Sequence, residues 1–237
     1  MGRARHRLRV VVTFEKTLSR IPGIDVGDDG VPRCWWGAGD PLYRRYHDTE
    51  WGRPVSNDRR LFEKLCLEGF MSGLSWLTIL RKRENFRAAF AQFDPDAVAR
   101  FGAADQRRLL NDQGIVRKAA KIAATINNAR QCRELQAEFG SFAAYAWGFE
   151  PPPTSRRLDH EALTGVKFSP EAAAMSKDLR KRGWGFVGPT TVYSFMQAMG
   201  LVNDHLEGCR AGAEVDVMRR AFKRPKPRAQ GAPSPAR

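Results

Sequence analysis

The chain contains no run of about 18 consecutive apolar residues, so it offers no helical membrane span. Its start lacks an apolar stretch ending at a small-residue cleavage site, which points away from a secretory leader and towards a soluble cytoplasmic protein. Cysteine is scarce: Cys34, Cys66, Cys132 and Cys209 are too few and too scattered in 237 residues to form a disulfide scaffold. Nowhere does strand patterning alternate with helical patterning, which excludes a doubly wound sheet and leaves an all-α chain with short loops as the expectation. Symmetry signals are also missing, and a monomer is expected.

Positive charge is abundant, with 40 lysines and arginines against 26 acids and a net charge of +14. Its distribution weakens any simple nucleic-acid reading. Arg3, Arg5, Arg7 and Arg9 contribute four charges and residues 219–237 another seven, with no acid in either segment, leaving +3 between residues 10 and 218. Basic ends often act as solubilising or nonspecific arms, so charge alone does not identify a partner.

Residues 1–30 read as a poorly ordered extension holding the strand-like run Val10-Val11-Val12-Thr13-Phe14 and a turn-rich segment. Residues 31–218 read as a single helical domain of two packed lobes, and residues 219–237, basic and proline-rich, as a disordered tail. Within the domain, Asp40-Pro41 starts a helix and Asp58 is expected to cap a long one over 59–73. A single helix is expected over 75–91, a first-turn proline at Pro95, and the longest helix over 117–140. Pro151, Pro152 and Pro153 open a charged connection, after which Ser169-Pro170 starts another helix.

Two patterns carry chemistry. In residues 179–191 a helix ends at Gly183, a tight turn carries Gly185, and Gly188-Pro189-Thr190 opens the next helix. Exposed amides at such a hairpin and helix start could hold a DNA phosphate, with Arg180, Lys181 and Arg182 beside them; an ordinary helix hairpin reads equally well. The second pattern pairs Cys34 with His47, and His205 with Cys209 in H-x-x-x-C spacing. Two thiolates and two imidazoles make the closed tetrahedral set of a structural zinc. The alternative is two buried cysteines and two surface histidines. Cys66 and Cys132 fall in helical patterns and read as small core residues.

Several short motifs then occur in one order: Cys34-Trp35-Trp36, Asp40-Pro41-Leu42-Tyr43, Tyr46-His47-Asp48-Thr49-Glu50-Trp51-Gly52, Leu67-Glu68-Gly69, Gly73-Leu74-Ser75-Trp76 and Lys82-Arg83-Glu84-Asn85-Phe86. With Arg117-Lys118, Phe186 to Thr190 and Tyr193 to Cys209, they resemble the DNA-3-methyladenine glycosylase I family, the constitutive bacterial type, over roughly residues 33–209. The resemblance implies an all-α helix-hairpin-helix DNA glycosylase fold, with one structural zinc held by Cys34, His47, His205 and Cys209 joining the N- and C-terminal segments. It implies a base pocket of Trp36, Tyr46 and Trp76 with Trp51 close by, and Glu68 as the essential carboxylate. Gly73 and Leu74 would approach the lesion-bearing duplex, with Leu74 as a wedge, while Gly185, Gly188 and Thr190 would contact its backbone. Phe70-Met71 depart from the family, whose members often carry glutamines there.

The activity so implied is monofunctional hydrolysis of the N-glycosidic bond of 3-methyladenine in alkylated double-stranded DNA, in the bacterial cytoplasm at the nucleoid. The damaged nucleotide must leave the stack to be cut. Its base carries positive charge while attached to the sugar, which suits electron-rich rings and a carboxylate. No lysine stands out as a Schiff-base nucleophile, Lys82 being a weak candidate in a charged run. Two other functions stay open: a noncatalytic binder of damaged DNA, and a related glycosylase whose base preference is shifted by Phe70-Met71.

Overall fold

The computed structural model describes residues 21–153 and 157–228. The expected strand-like run at Val10 to Phe14 and the arginines before it lie outside the described residues. A short antiparallel hairpin opens the described chain, β1 (Ile24–Val26) pairing with β2 (Pro32–Cys34) in a register that sets Ile24 opposite Cys34. The ordered domain therefore reaches back into residues 21–30, which the sequence placed in the extension. The cause is tertiary: Ile24 packs with Cys34, Leu206 and Cys209 in a small second core.

Helices follow in chain order: α1 (Trp35–Ala38), α2 (Pro41–Thr49), α3 (Asp58–Met71), α4 (Trp76–Arg81), α5 (Arg83–Ala89), α6 (Pro95–Ala99) and α7 (Ala103–Asn111). Then come α8 (Ala119–Phe139), α9 (Phe142–Trp147), α10 (His160–Gly165), α11 (Pro170–Lys181), α12 (Pro189–Ala198) and α13 (Arg210–Ala221). Local chemistry explains most starts. Asp40 accepts from the Leu42 and Tyr43 amides with Pro41 at the first turn, Asp94 does the same before Pro95, and Ser169 accepts from the Ala172 amide before α11. Gly140, at a φ of +84°, closes α8 in the left-handed conformation that glycine adopts without strain.

Two expectations about local structure are corrected. The helix expected over 75–91 breaks at Lys82, whose ψ near zero ends α4 and starts α5, while its ammonium donates to the Gln113 and Gly114 carbonyls. Asn57, not Asp58, caps α3 through the Arg60 amide. Asp58 reaches across the fold instead, accepting from the Phe142 and Ala143 amides and from Gln136, so it supplements Ser141 in capping α9.

Helix α3 runs through the centre, buried from Leu61 to Phe70 and packed by α4, α8, α9 and α12. Phe62, Phe70, Phe86, Phe90, Phe93, Phe142 and Phe195 fill the main core around it. Cys66 and Cys132 are buried there, as expected of small apolar side chains. Because α3 is covered from Leu61 to Phe70, the ionisable residues of that stretch are buried and paired: Glu63 with Arg83 and Arg87, and Lys64 with Glu68.

Residues 219–228, expected to belong to a disordered basic tail, are held to the domain. α13 continues through Ala221, Arg219 and Arg224 both engage Glu150, Phe222 lies 4.5 Å from the Trp147 ring, and the Arg228 amide donates to the Phe139 carbonyl. Charge patterning suggested a solvated arm; one buried-edge glutamate and one aromatic contact hold the segment down.

Candidate active site and metal centre

Cys34 at the end of β2, His47 on α2, and His205 and Cys209 in the loop before α13 meet where the two ends of the domain touch. All four are buried, and their ligand atoms lie within 4.8 Å of one another. The Cys34 sulfur is 3.8 Å from His205 Nδ1, and the Cys209 sulfur is 3.6 Å from His47 Nε2 and 3.5 Å from His205 Nδ1. A tetrahedral ion with metal–sulfur and metal–nitrogen bonds of about 2.3 and 2.0 Å would set such pairs about 3.6 Å apart. The donor set therefore fits a four-coordinate metal with no open position. His205 and Cys209 share a turn closed by the Cys209 amide on the Leu206 carbonyl, not a helical face.

The surroundings orient these ligands. His47 presents Nε2 inward because Nδ1 pairs with Asp48 at 2.8 Å, and His205 presents Nδ1 because Nε2 faces the Trp51 carbonyl at 3.2 Å. Burial opposes ionisation of Asp48, but the Arg33 guanidinium and His47 hold its carboxyl below the usual carboxylate range. Hydrogen bonding from the Cys34 thiol, opposed by burial and helped by both imidazoles, keeps Cys209 well below an ordinary thiol, while Cys34 is pushed up. Gly37 is required here, since a Cβ on it would come 2.5 Å from the His47 ring.

Beside the metal centre opens a cavity of about 380 Å³. Trp36 from α1, Tyr46 from α2, Glu68 from α3, Trp76 from α4 and Trp51 after α2 all line it. Trp51 joins the two sites, its ring 4.9 Å from Trp36 and 4.6 Å from His205, both edge-on. Tyr46 lies 5.3 Å from Trp76 and 6.5 Å from Trp36. Burial and the Glu68 charge push the Tyr46 phenol well above its ordinary value and Tyr43 up to about 12, so both remain neutral donors. Two buried polar atoms here lack partners, Glu68 Oε2 and Trp76 Nε1. At a cavity wall, such atoms can take a hydrogen bond from a bound ligand or a water.

The sequence reading missed Lys64. Its ammonium pairs with Glu68 Oε1 at 2.6 Å and donates to the Tyr46 hydroxyl at 2.7 Å, with both charged side chains almost fully buried. A lysine four residues before a glutamate within an apolar helix was the available signal. Lys82 lines no part of the cavity. Sequence patterning also gave no sign that α10 and the segment after it, through Leu163, Val166 and Lys167, form a wall of the cavity, because that stretch read as a polar connection. Of the departing pair, Phe70 belongs to the core against Phe86 and Phe90, whereas Met71 lines the cavity.

Between the cavity-lining Met71 and Trp76, Gly73, at φ +81°, leads to Leu74, which is 45% exposed. Lys121 holds this loop by donating to the Phe70 and Ser72 carbonyls at 2.8 and 2.7 Å. In the hairpin, Gly185 differs from expectation. Its amide donates to Asn128 Oδ1 at 2.8 Å, and a Cβ on it would meet Ala124 at 2.9 Å, so it packs the hairpin on α8 and offers no free amide. Arg182 is likewise engaged by Asp178 and Glu138, while Arg180 and Lys181 are exposed. Gly188 caps α12 with open space around it, and Thr190 is exposed at the edge of the cavity.

Known proteins resemble this chain in sequence and fold. The family described as methyladenine glycosylase matches residues 35–212. DNA-3-methyladenine glycosylase 1 of Escherichia coli (strain K12) is 48% identical over 182 residues, covering 76% of this chain and 96% of that protein. DNA-3-methyladenine glycosylase of Haemophilus influenzae is 42% identical over 180 residues, covering 75% and 96%. A crystal structure of 3-methyladenine DNA glycosylase I superposes with a TM-score of 0.70 at 47% identity, covering 75% of this chain and 98% of that one.

Proposed function

The chain belongs to the methyladenine glycosylase family, and on that premise we propose that its cavity excises 3-methyladenine from alkylated double-stranded DNA by hydrolysing the N-glycosidic bond. The observation that carries this reading is the buried carboxylate of Glu68, with Oε2 unpartnered, in a chamber walled by Trp36, Tyr46 and Trp76. A flipped alkylated adenine brings a positive charge and an exocyclic amine. The rings meet the charge, and Oε2 accepts from the amine. A neutral adenine gains less from the same surroundings.

Alkylation already activates the leaving base, so no strong general acid is required. As the base departs, positive character develops on the deoxyribose, and water completes the hydrolysis at the anomeric carbon. The reaction is monofunctional: Lys64, the buried cavity lysine, is engaged by Glu68 and Tyr46 and serves as a cation, not a nucleophile. Glu68 is the catalytic residue in the sense that it touches the base. Leu74 enters the duplex as the wedge, with Gly73 giving the turn, and the α12 start at Gly188 and Thr190 takes a phosphate. Gly185 contributes by seating the hairpin on α8.

In the metal centre the inferred ion is one zinc, with a structural role. It would cross-link β2 and α2 to the loop before α13 and hold Trp51 and Trp36 against the cavity. No helix among the described residues is long and apolar enough to cross a membrane. A monomer acting on the nucleoid in the bacterial cytoplasm fits this one-site chemistry.

The test is release of free bases from methylated duplex DNA, resolving 3-methyladenine, 3-methylguanine and 7-methylguanine. Predominant 3-methyladenine is the expected result. Predominance of another base would replace it with the shifted-preference reading, which the apolar Met71 in the cavity wall favours. Binding of the duplex without release of any base, by folded and metal-loaded protein, would refute excision.

A further inference from the structure

Three features around Lys64 belong together. It is 2% exposed, in the middle of α3, with its ammonium 2.6 Å from Glu68 Oε1 and 2.7 Å from the Tyr46 hydroxyl. The same nitrogen lies 3.1 Å from the centroid of the Trp76 ring and 4.9 Å from that of Tyr46. It thus occupies the kind of place that a cationic ligand would take: over an electron-rich face and against the carboxylate. Glu68 is left with Oε2 free of partners.

We propose that Lys64 is the positioning and specificity-setting residue of the cavity: a resident cation that fixes Glu68 through Oε1 and reserves Oε2 for the base. This rests on the excision reading given above. One consequence concerns selection. Because Lys64 already balances the Glu68 charge, an alkylated base gains less from net charge and more from the directed hydrogen bond to Oε2. The Trp76 face under the ammonium is also occupied, so a base meets that ring by its other surface or its edge, unless it displaces the ammonium.

The arrangement has a pH signature. The charged groups facing Lys64 are Glu68 on its own helix, Glu50 at the end of α2, and Arg83 on α5, with the neutral phenol of Tyr46 in contact. Burial lowers the Lys64 amine to about 8, with Glu68 opposing the shift and Arg83 adding to it. The amine therefore carries its proton in the neutral range and loses it as the pH rises past that value. With Lys64→Met no cation faces Oε1 at any pH, and the titration of the amine is removed from the profile.

The experiment follows 3-methyladenine release by wild type, Lys64→Met, Lys64→Gln and Lys64→Arg from about pH 6 to pH 9, with circular dichroism for the fold. Wild type should hold its rate through the neutral range and lose it above about pH 8. The methionine variant should be about tenfold or more slower than wild type in the neutral range and show no further fall above about pH 8. Arginine, which keeps its charge across this range, should hold the rate without the alkaline loss. Glutamine, which keeps a donor without the charge, should follow methionine and substitutes for it if that variant fails to fold. A purely structural lysine would lower the rate equally at every pH, so methionine and glutamine profiles parallel to the wild type overturn the proposal. A borohydride-trapped adduct between Lys64 and DNA would overturn it too, by making the amine a nucleophile. Wild type that releases no base refutes the excision reading and this inference together, whereas normal wild-type release with parallel variant profiles refutes only the inference.

Discussion

Glu68→Gln tests the centre of the proposed chemistry with the least disturbance of shape. The carboxylate is 3% exposed, its Oε1 is held by Lys64 at 2.6 Å, and its Oε2 has no partner. The amide is nearly isosteric, and its oxygen can still accept from the Lys64 ammonium. What disappears is the negative charge, and with it a charge-assisted acceptor for the base. Hydrogen bonds to charged groups contribute about 1.5–3 kcal/mol, which corresponds to roughly 10- to 150-fold in kcat/KM. Removing one partner of a buried ion pair costs about 3–5 kcal/mol of stability; the retained amide acceptor should keep the glutamine variant below that range, and Glu68→Ala should reach it. The assay is single-turnover release of 3-methyladenine from methylated duplex, with thermal unfolding in parallel. If a folded, metal-loaded Glu68→Gln protein excises within about twofold of wild type, the carboxylate has been wrongly assigned.

Four other outcomes follow from particular contacts. Metal analysis of the purified protein should find about one zinc per chain, and chelation or Cys209→Ala should lower the melting temperature; an intact fold with no bound metal would remove the zinc assignment. Leu74→Ala should change stability by no more than about 0.5 kcal/mol, since the side chain is 45% exposed, yet slow excision from duplex more than from single-stranded substrate; equal slowing on both would exclude a wedge. Asp58→Ala removes the acceptor of the Phe142 and Ala143 amides and of Gln136, so a loss of about 1–3 kcal/mol is expected in denaturant unfolding; a change near zero would show that α9 needs no such cap. Truncation after residue 218 deletes the Arg219 and Arg224 pairs with Glu150 and the Phe222 contact with Trp147, and should lower the melting temperature; an unchanged value would restore the reading of that segment as a free tail.

How much could be read in advance varied with the range of the interaction. Asp40-Pro41, Pro95, Ser169-Pro170 and the glycines after α8 and α11 marked helix ends correctly, because a cap acts within one turn and its chemistry is local. The break at Lys82 escaped the same reading, since apolar spacing continues across it and the carbonyls that hold its ammonium come from Gln113 and Gly114. Asp58 showed the complementary error: a good capping residue in a good position, recruited by a helix more than eighty residues away.

The candidate site divides along the same line. Residue types alone proposed Cys34, His47, His205 and Cys209 as one ligand set, because two thiols and two imidazoles are a recognisable donor chemistry; ordered motifs supplied the aromatics and Glu68. Convergence was a tertiary matter. The ends of the domain meet only because the β1–β2 hairpin and the loop before α13 share a small core, and Gly185 turned out to be bound by Asn128 once α8 lay against it. Lys64 illustrates the limit best. In the chain it is an unremarkable lysine four positions from a glutamate. Packing covers α3 from Leu61 to Phe70, removes water from both charges, and sets the ammonium on Trp76 and Tyr46. Composition and local spacing determined which elements form and which chemistries are present; burial and pairing between distant segments decided which charges face the cavity, because desolvation depends on neighbours that no local pattern specifies.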